Sequence, residues 1–200
     1  MSEPQEENRR SPGWDDGRAV LYFDYVDPGS YLLSVLLDDA ELSWRGFEVR
    51  PPPGPPVDPH EQAWAQYQSD VLEYARAVGV EMEAPRMVPW TRKAHELDRH
   101  AKDQDCSEAV RSALFRAHFV DGLDIGRIDV LVELARSVGL DGSETKAALD
   151  VDHWAAQVES DRAFALEHEV AGVPTITAQG ARLEGLRSMN EIRDWLAAHD

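Results

Sequence analysis

Segments able to form strands stand only at the two ends of the body of this chain, and residues 59–170 between them show helical periods alone. At the first end, Ala19 to Asp24 is a short apolar run rich in β-formers, the pattern of a buried strand. Asp27-Pro28-Gly29-Ser30 follows; Asp is a preferred N-cap and Pro suits the first helical position. Tyr31 to Leu37 is almost wholly apolar, as a buried helix would be, and Leu42 to Val49 is a second strand candidate containing Trp44 and Phe47. At the far end, Val173 to Ala178 and Ala181 to Gly185 read as strands joined by Gln179-Gly180. Ser188-Met189-Asn190-Glu191 is a capping box that opens a helix with Met189, Ile192, Trp195 and Leu196 on its apolar face. The order β-α-β, helical block, β-β-α predicts one α/β domain whose sheet is assembled from both ends of the chain, with a large all-helical insertion.

Arg50 to Pro59 is a proline-rich connector. It ends at Asp58-Pro59-His60-Glu61, which reads as a helix start with cap, first-turn proline and acid. Ala63, Trp64, Tyr67, Val71, Tyr74, Ala75 and Val78 then recur at helical spacing up to Gly79, a plausible stop. Further stripes run from Cys106 to Val120, from Ile128 to Val138, and through Val151, Trp154, Ala155 and Val158. The expected division is a disordered tail (1–18), the first part of the sheet domain (19–58), the helical insertion (59–170) and the second part of the sheet domain (171–200). The tail is polar and lacks the apolar stretch of a secretion signal, and no apolar run reaches the roughly 18 residues of a membrane span. A cytoplasmic protein without a membrane partner is expected.

Acidic residues outnumber basic ones 38 to 20, a formal charge of −18. The first 18 residues hold five acids and three bases, so the acidity belongs to the folded body. A field of that sign repels phosphate backbones, which argues against a nucleic-acid partner. Cys106 is the one cysteine, so no intramolecular disulfide and no thiolate metal cluster can form. His95 and His100 are five apart rather than four, about 140° from each other around a helix, so they are not a zinc-protease pair. His118, His153 and His168 form no ligand cluster, and no metal is expected. Neither a Gly-rich phosphate loop nor a Gly-x-Ser-x-Gly elbow occurs.

Several passages, taken in order, resemble the DsbA-like superfamily, in particular FrnE-type oxidoreductases, 2-hydroxychromene-2-carboxylate isomerases and kappa-class glutathione transferases. Phe23-Asp24-Tyr25-Val26-Asp27-Pro28-Gly29-Ser30-Tyr31 resembles the strand-to-helix active-site segment. Trp44 to Pro51 resembles the second strand with its Pro-rich exit, and Thr91 to Leu97 with His100-Ala101 resembles the helix start Asn-Thr-x-x-Ala-His-x-Leu. Ala113 to Phe119, continuing to Gly139-Leu140-Asp141, is similar to the helical-domain consensus, and Gly172-Val173-Pro174-Thr175 looks like the cis-proline loop. The resemblance implies a thioredoxin-like fold. It also implies catalytic positions at Asp27 and Ser30, a cofactor-binding loop at Val173, Pro174 and Thr175, and a substrate pocket that includes Trp90 and His95.

The departures from that family bear on function. Its redox members carry Cys-Pro-x-Cys where this chain has Asp27-Pro28-Gly29-Ser30, and thiol–disulfide exchange needs both an attacking and a resolving thiol. Dithiol chemistry at this site is therefore excluded by composition. The isomerases and kappa transferases often have Ser-Pro-x-Ser and borrow the sulfur of bound glutathione. An ionised Asp27 cannot donate a hydrogen bond and would repel that thiolate, although the helix N-terminus itself favours an anion. Trp90 also stands where the family has asparagine. Each position has a plainer reading: Asp27 as a cap, Ser30 as a satisfied hydroxyl, Pro174 as a shaper of the sheet, His95 as a solvated or core-edge histidine, Trp90 as packing.

Two functions are therefore expected as alternatives. One is an isomerase- or transferase-like protein using glutathione or another low-molecular-weight thiol. The other is a non-catalytic binding or chaperone-like module that takes a small-molecule or peptide ligand. A homodimer built on the helical region is a third expectation. An open cleft beside Asp27, Ser30 and Pro174 favours the first; a cleft plugged by side chains such as Trp90 favours the second.

Overall fold

The structure, a computed structural model, describes residues 18–199. The expected tail lies outside these residues except for Arg18. Four strands occur at the two ends: β1 (Val20–Phe23), β2 (Ser43–Gly46), β3 (Thr175–Ala178) and β4 (Ala181–Glu184). The helix α1 (Pro28–Leu36) joins β1 to β2, and α8 (Met189–Ala198) follows β4. Between β2 and β3 stand α2 (Gln62–Val78), α3 (Arg92–Lys102), α4 (Ser107–Phe119), α5 (Ile128–Ser137), α6 (Gly142–Asp150) and α7 (Ala155–Glu167).

The sheet order is β2-β1-β3-β4, with β1 parallel to β2 and β3 antiparallel to both of its neighbours. This is the one sheet, assembled from both ends of the chain, that the element order predicts; the strand directions make it mixed. Its register positions the site. Tyr22 pairs with Thr175, so the residues leaving the end of β1 run beside those entering β3. Asp24 to Ser30 and Val173-Pro174 are thereby brought together from opposite ends of the chain.

Local signals account for most boundaries. Asp27 caps α1 and Pro28 is its first residue, Gly79 ends α2 with φ +77°, and the Ser188–Glu191 capping box opens α8. Two expectations are corrected. Asp58 does not start a helix; its Oδ1 accepts the His60 N–H at 2.8 Å in a turn, and α2 begins only at Gln62. The stripe through Val151 and Val158 is not one helix face either. The helix α6 stops at Asp150, Asp152 turns into the left-handed region at φ 54°, and Val151 is 69% exposed.

One apolar cluster spans the sheet domain and the insertion. It joins Phe23, Tyr25, Tyr31 and Leu32 to Leu97, Leu114, Phe115, Phe119 and Leu131. Phe115 sits at the junction, its ring 5.9 Å from Phe23, 5.1 Å from Tyr25 and 5.8 Å from Tyr31. Leu21, Leu33, Ile176 and Ile192 form a second cluster that includes α8. Charge also pins the insertion to the sheet. The Arg92 guanidinium holds the buried Glu48 carboxylate through its Nε at 3.0 Å and its Nη2 at 2.9 Å. Because Phe115 belongs to both parts, Phe115→Ala is expected to cost about 3–5 kcal/mol in a single urea-unfolding transition. Two separable transitions, by fluorescence and far-UV circular dichroism, would contradict the shared core.

Candidate functional site

The site is the first turn of α1 and what covers it. Asp27 is 1% exposed and accepts the Ser30 N–H at 2.5 Å, the bond of a helix cap. Its other oxygen accepts the Tyr67 hydroxyl, from α2, at 3.0 Å. Burial drives the Asp27 carboxyl from its ordinary 3.8 up to about 7; the hydrogen bonds from Ser30 and Tyr67 oppose this, and the nearby Asp24 charge adds to it. Burial and the Asp27 charge likewise push the Tyr67 phenol well above its ordinary value.

The approach of Tyr67 is close enough to dictate the residue beneath it. A Cβ on Gly29 would collide with the Tyr67 hydroxyl and lie 3.0 Å from Cδ of Pro174. Glycine is thus required where α1, α2 and the β3 entry converge. The Val173–Pro174 peptide is cis. The Pro174 carbonyl accepts the Gly185 N–H at 2.8 Å, and the Thr175 hydroxyl donates to the Gly172 carbonyl at 2.8 Å. Pro174 and Thr175 are buried and Val173 is half-buried.

Ser30 is fully buried, and its Oγ accepts the Asp24 N–H at 3.4 Å and hydrogen-bonds the Asp27 carboxyl. Its hydroxyl faces the protein rather than an open cleft. His95 is also buried. Its Nε2 lies 3.1 Å from Oδ1 of Asp24, whose Oδ2 accepts the Val49 N–H at 2.6 Å. Its ring packs 4.9 Å from Tyr25, and Gly46 leaves room for it, since a Cβ there would lie 2.5 Å from Nδ1. His95 therefore braces Asp24 beneath the α1 turn.

Trp90 is not part of this group. It is 44% exposed, and its indole N–H donates to the Gly54 carbonyl at 2.9 Å, fastening the proline-rich connector. The side chain over Asp27 is Tyr67, which the sequence shows only as one member of an amphipathic stripe. Asp24 falls within the strand-to-helix segment that the sequence marks, but nothing in the sequence gives it a role of its own. Cys106 is a half-buried free thiol at the N-cap of α4. Among the described residues, no three His, Cys, Asp or Glu side chains converge as a metal site would need.

The DSBA-like thioredoxin domain family matches residues 19–197. The chain belongs to that family. It is 32% identical over 166 residues to YwbO of Bacillus subtilis (strain 168), a match covering 78% of this chain and 83% of YwbO. Its fold is similar to that of a probable DsbA oxidoreductase, SCO1869, from Streptomyces coelicolor, with a TM-score of 0.79, 23% identity, and 91% of this chain and 89% of that one covered. It is also similar to 2-hydroxychromene-2-carboxylate isomerase, with a TM-score of 0.74, 19% identity, and coverage of 90% and 94%. Within this DsbA-like fold, a chain with one cysteine has no Cys-x-x-Cys pair.

The raised Asp27 carboxyl fixes the sign of a pH effect. Between pH 3.8 and about 7 the folded form keeps a proton that the unfolded chain releases. The contribution of Asp27 to stability is therefore greatest below pH 3.8 and is lost as pH rises through 7. The unfolding free energy of wild type minus that of Asp27→Asn is expected to fall across this interval, by at most about 1.4 kcal/mol per pH unit, and to level off above it. Urea titrations from pH 4 to 8.5 check this; a difference that rises with pH would contradict it.

Proposed function

We propose that this chain is a cytoplasmic DsbA-like protein that works by binding rather than by thiol chemistry, its inherited reaction site closed by Tyr67. The observation that carries this reading is the Tyr67 hydroxyl seated 3.0 Å from Oδ1 of the buried Asp27, against Gly29 and Pro174. A thiol ligand at the α1 N-terminus would need that space. It would also meet a carboxyl that, once ionised, repels a thiolate, while Ser30 points inward to Asp24 and Asp27.

One observation favours a second reading. With the Asp27 carboxyl at about 7, acid and base forms are both populated at neutral pH, as proton-transfer chemistry requires. The likeness to an isomerase adds to this reading at the level of fold. On it, Tyr67 swings aside to admit a small substrate, and Asp27 relays a proton to or from carbon.

Calorimetric titration with reduced glutathione, alongside an insulin-reduction assay, tests the proposal. Wild type is expected to give neither saturable heat nor reduction above background, and Tyr67→Ala, which empties the space over Asp27, to gain at most weak binding. Saturable glutathione binding by wild type that is abolished in Asp27→Ala would overturn the closed-site reading and favour the second.

A further inference from the structure

A cavity of about 1020 Å³ lies beside β2, between the last part of α1 and the facing stretches of α3 and α4. It touches α1 only from Tyr31 onward, so it is separate from the Asp27 turn. The strand β2 is the edge of the sheet, and Trp44 and Arg45 on it line the cavity.

Six basic and five acidic residues line it, a slight positive excess in a chain of net charge −18. Arg45 from β2, Arg99 and Lys102 from α3, and Arg111 from α4 all line it, and the three arginines are half-buried. Of the acids that line it, Asp98 alone is half-buried; the others are exposed. Arg99 is ion-paired to the buried Asp161. The Lys102 side chain makes no ion pair or hydrogen bond among the described residues, and partial burial of the ammonium together with the Arg99 and Arg45 charges lowers its affinity for a proton. The Arg111 guanidinium lies 4.7 Å over the Trp44 ring and donates to Ser107 Oγ at 3.1 Å, while its buried Nε has no partner. A protein with a net charge of −18 that gathers cations from three elements around one concavity, and leaves the Lys102 ammonium there without a partner among the described residues, has the makings of an anion site.

We propose that this cavity binds a small multivalent oxyanion, a molecule with two or more phosphate or carboxylate groups, held by Arg45, Arg99, Lys102 and Arg111 against the Trp44 wall. Multivalency rests on size: a cavity of about 1020 Å³ with cations from a strand and two helices has room for more than one charged group on one ligand. The arginines offer planar forks suited to either oxyanion, and Lys102 adds a point charge. The inference goes beyond the closed-site reading and does not depend on Asp27.

Isothermal titration of the full chain at low salt, with inorganic pyrophosphate in one arm and citrate in the other, tests it. Saturable one-site binding is expected in at least one arm, weakened by added salt. The stronger arm names the oxyanion. Lys102→Glu, a change at an exposed residue, is expected to weaken binding about ten-fold or more, and Arg45→Gln to weaken it as well, with both variants retaining the wild-type circular dichroism spectrum. No saturable heat from either probe up to millimolar concentration would overturn the proposal. So would binding within about two-fold of wild type in both folded variants.

Discussion

Burial of one carboxyl at the start of α1 governs the rest of the site. A helix N-terminus favours an anion, by about 0.3–1 kcal/mol and up to about 2 in partly buried geometry. Removal from water favours the protonated acid, and here it prevails: a rise from 3.8 to about 7 corresponds to roughly 4 kcal/mol between the two protonation states. The first turn of α1 therefore holds an acid that titrates near neutrality, capped from within by Ser30 and from above by Tyr67. Tyr67 can approach so closely only because residue 29 is glycine, and Gly29 meets Pro174 only because β1 and β3 pair with Tyr22 opposite Thr175.

A second buried acid supports the first. Asp24 leaves β1, receives the Val49 N–H and faces His95, while its own N–H reaches Ser30 Oγ. The helical insertion is thus tied to the α1 turn through His95 and to the exit of β2 through the Arg92–Glu48 pair. Removing one member of such a pair leaves the other charge or donor buried without its partner, a larger loss than the intact pair's own net contribution.

The architecture was legible because the signals were local and agreed. The Asp27-Pro28 cap, the Gly79 stop and the Ser188–Glu191 box each mark a boundary by chemistry within a few residues. The strand-like runs could pair only with one another. Asp27, Ser30 and His95 were legible as positions, through their place in a family pattern, but not in their surroundings. Tyr67 was not legible as part of the site at all: an amphipathic stripe shows which residues face inward, not which one crosses from α2 to α1, 40 residues away along the chain. Trp90 was assigned by its neighbours in sequence, whereas its indole found a carbonyl in the proline-rich connector, a long-range contact that no helical period foretells. The cation-lined cavity was hidden for a similar reason, since the net charge of the whole chain says nothing about which arginines converge.

The α1 turn encloses a protonatable acid out of reach of solvent. A site-resolved carbon-13 titration of the Asp27 carboxyl by nuclear magnetic resonance measures this directly. A midpoint near 7 is expected. A midpoint near the ordinary 3.8 would show a hydrated, ionised Asp27 and an open turn, and would contradict that enclosure.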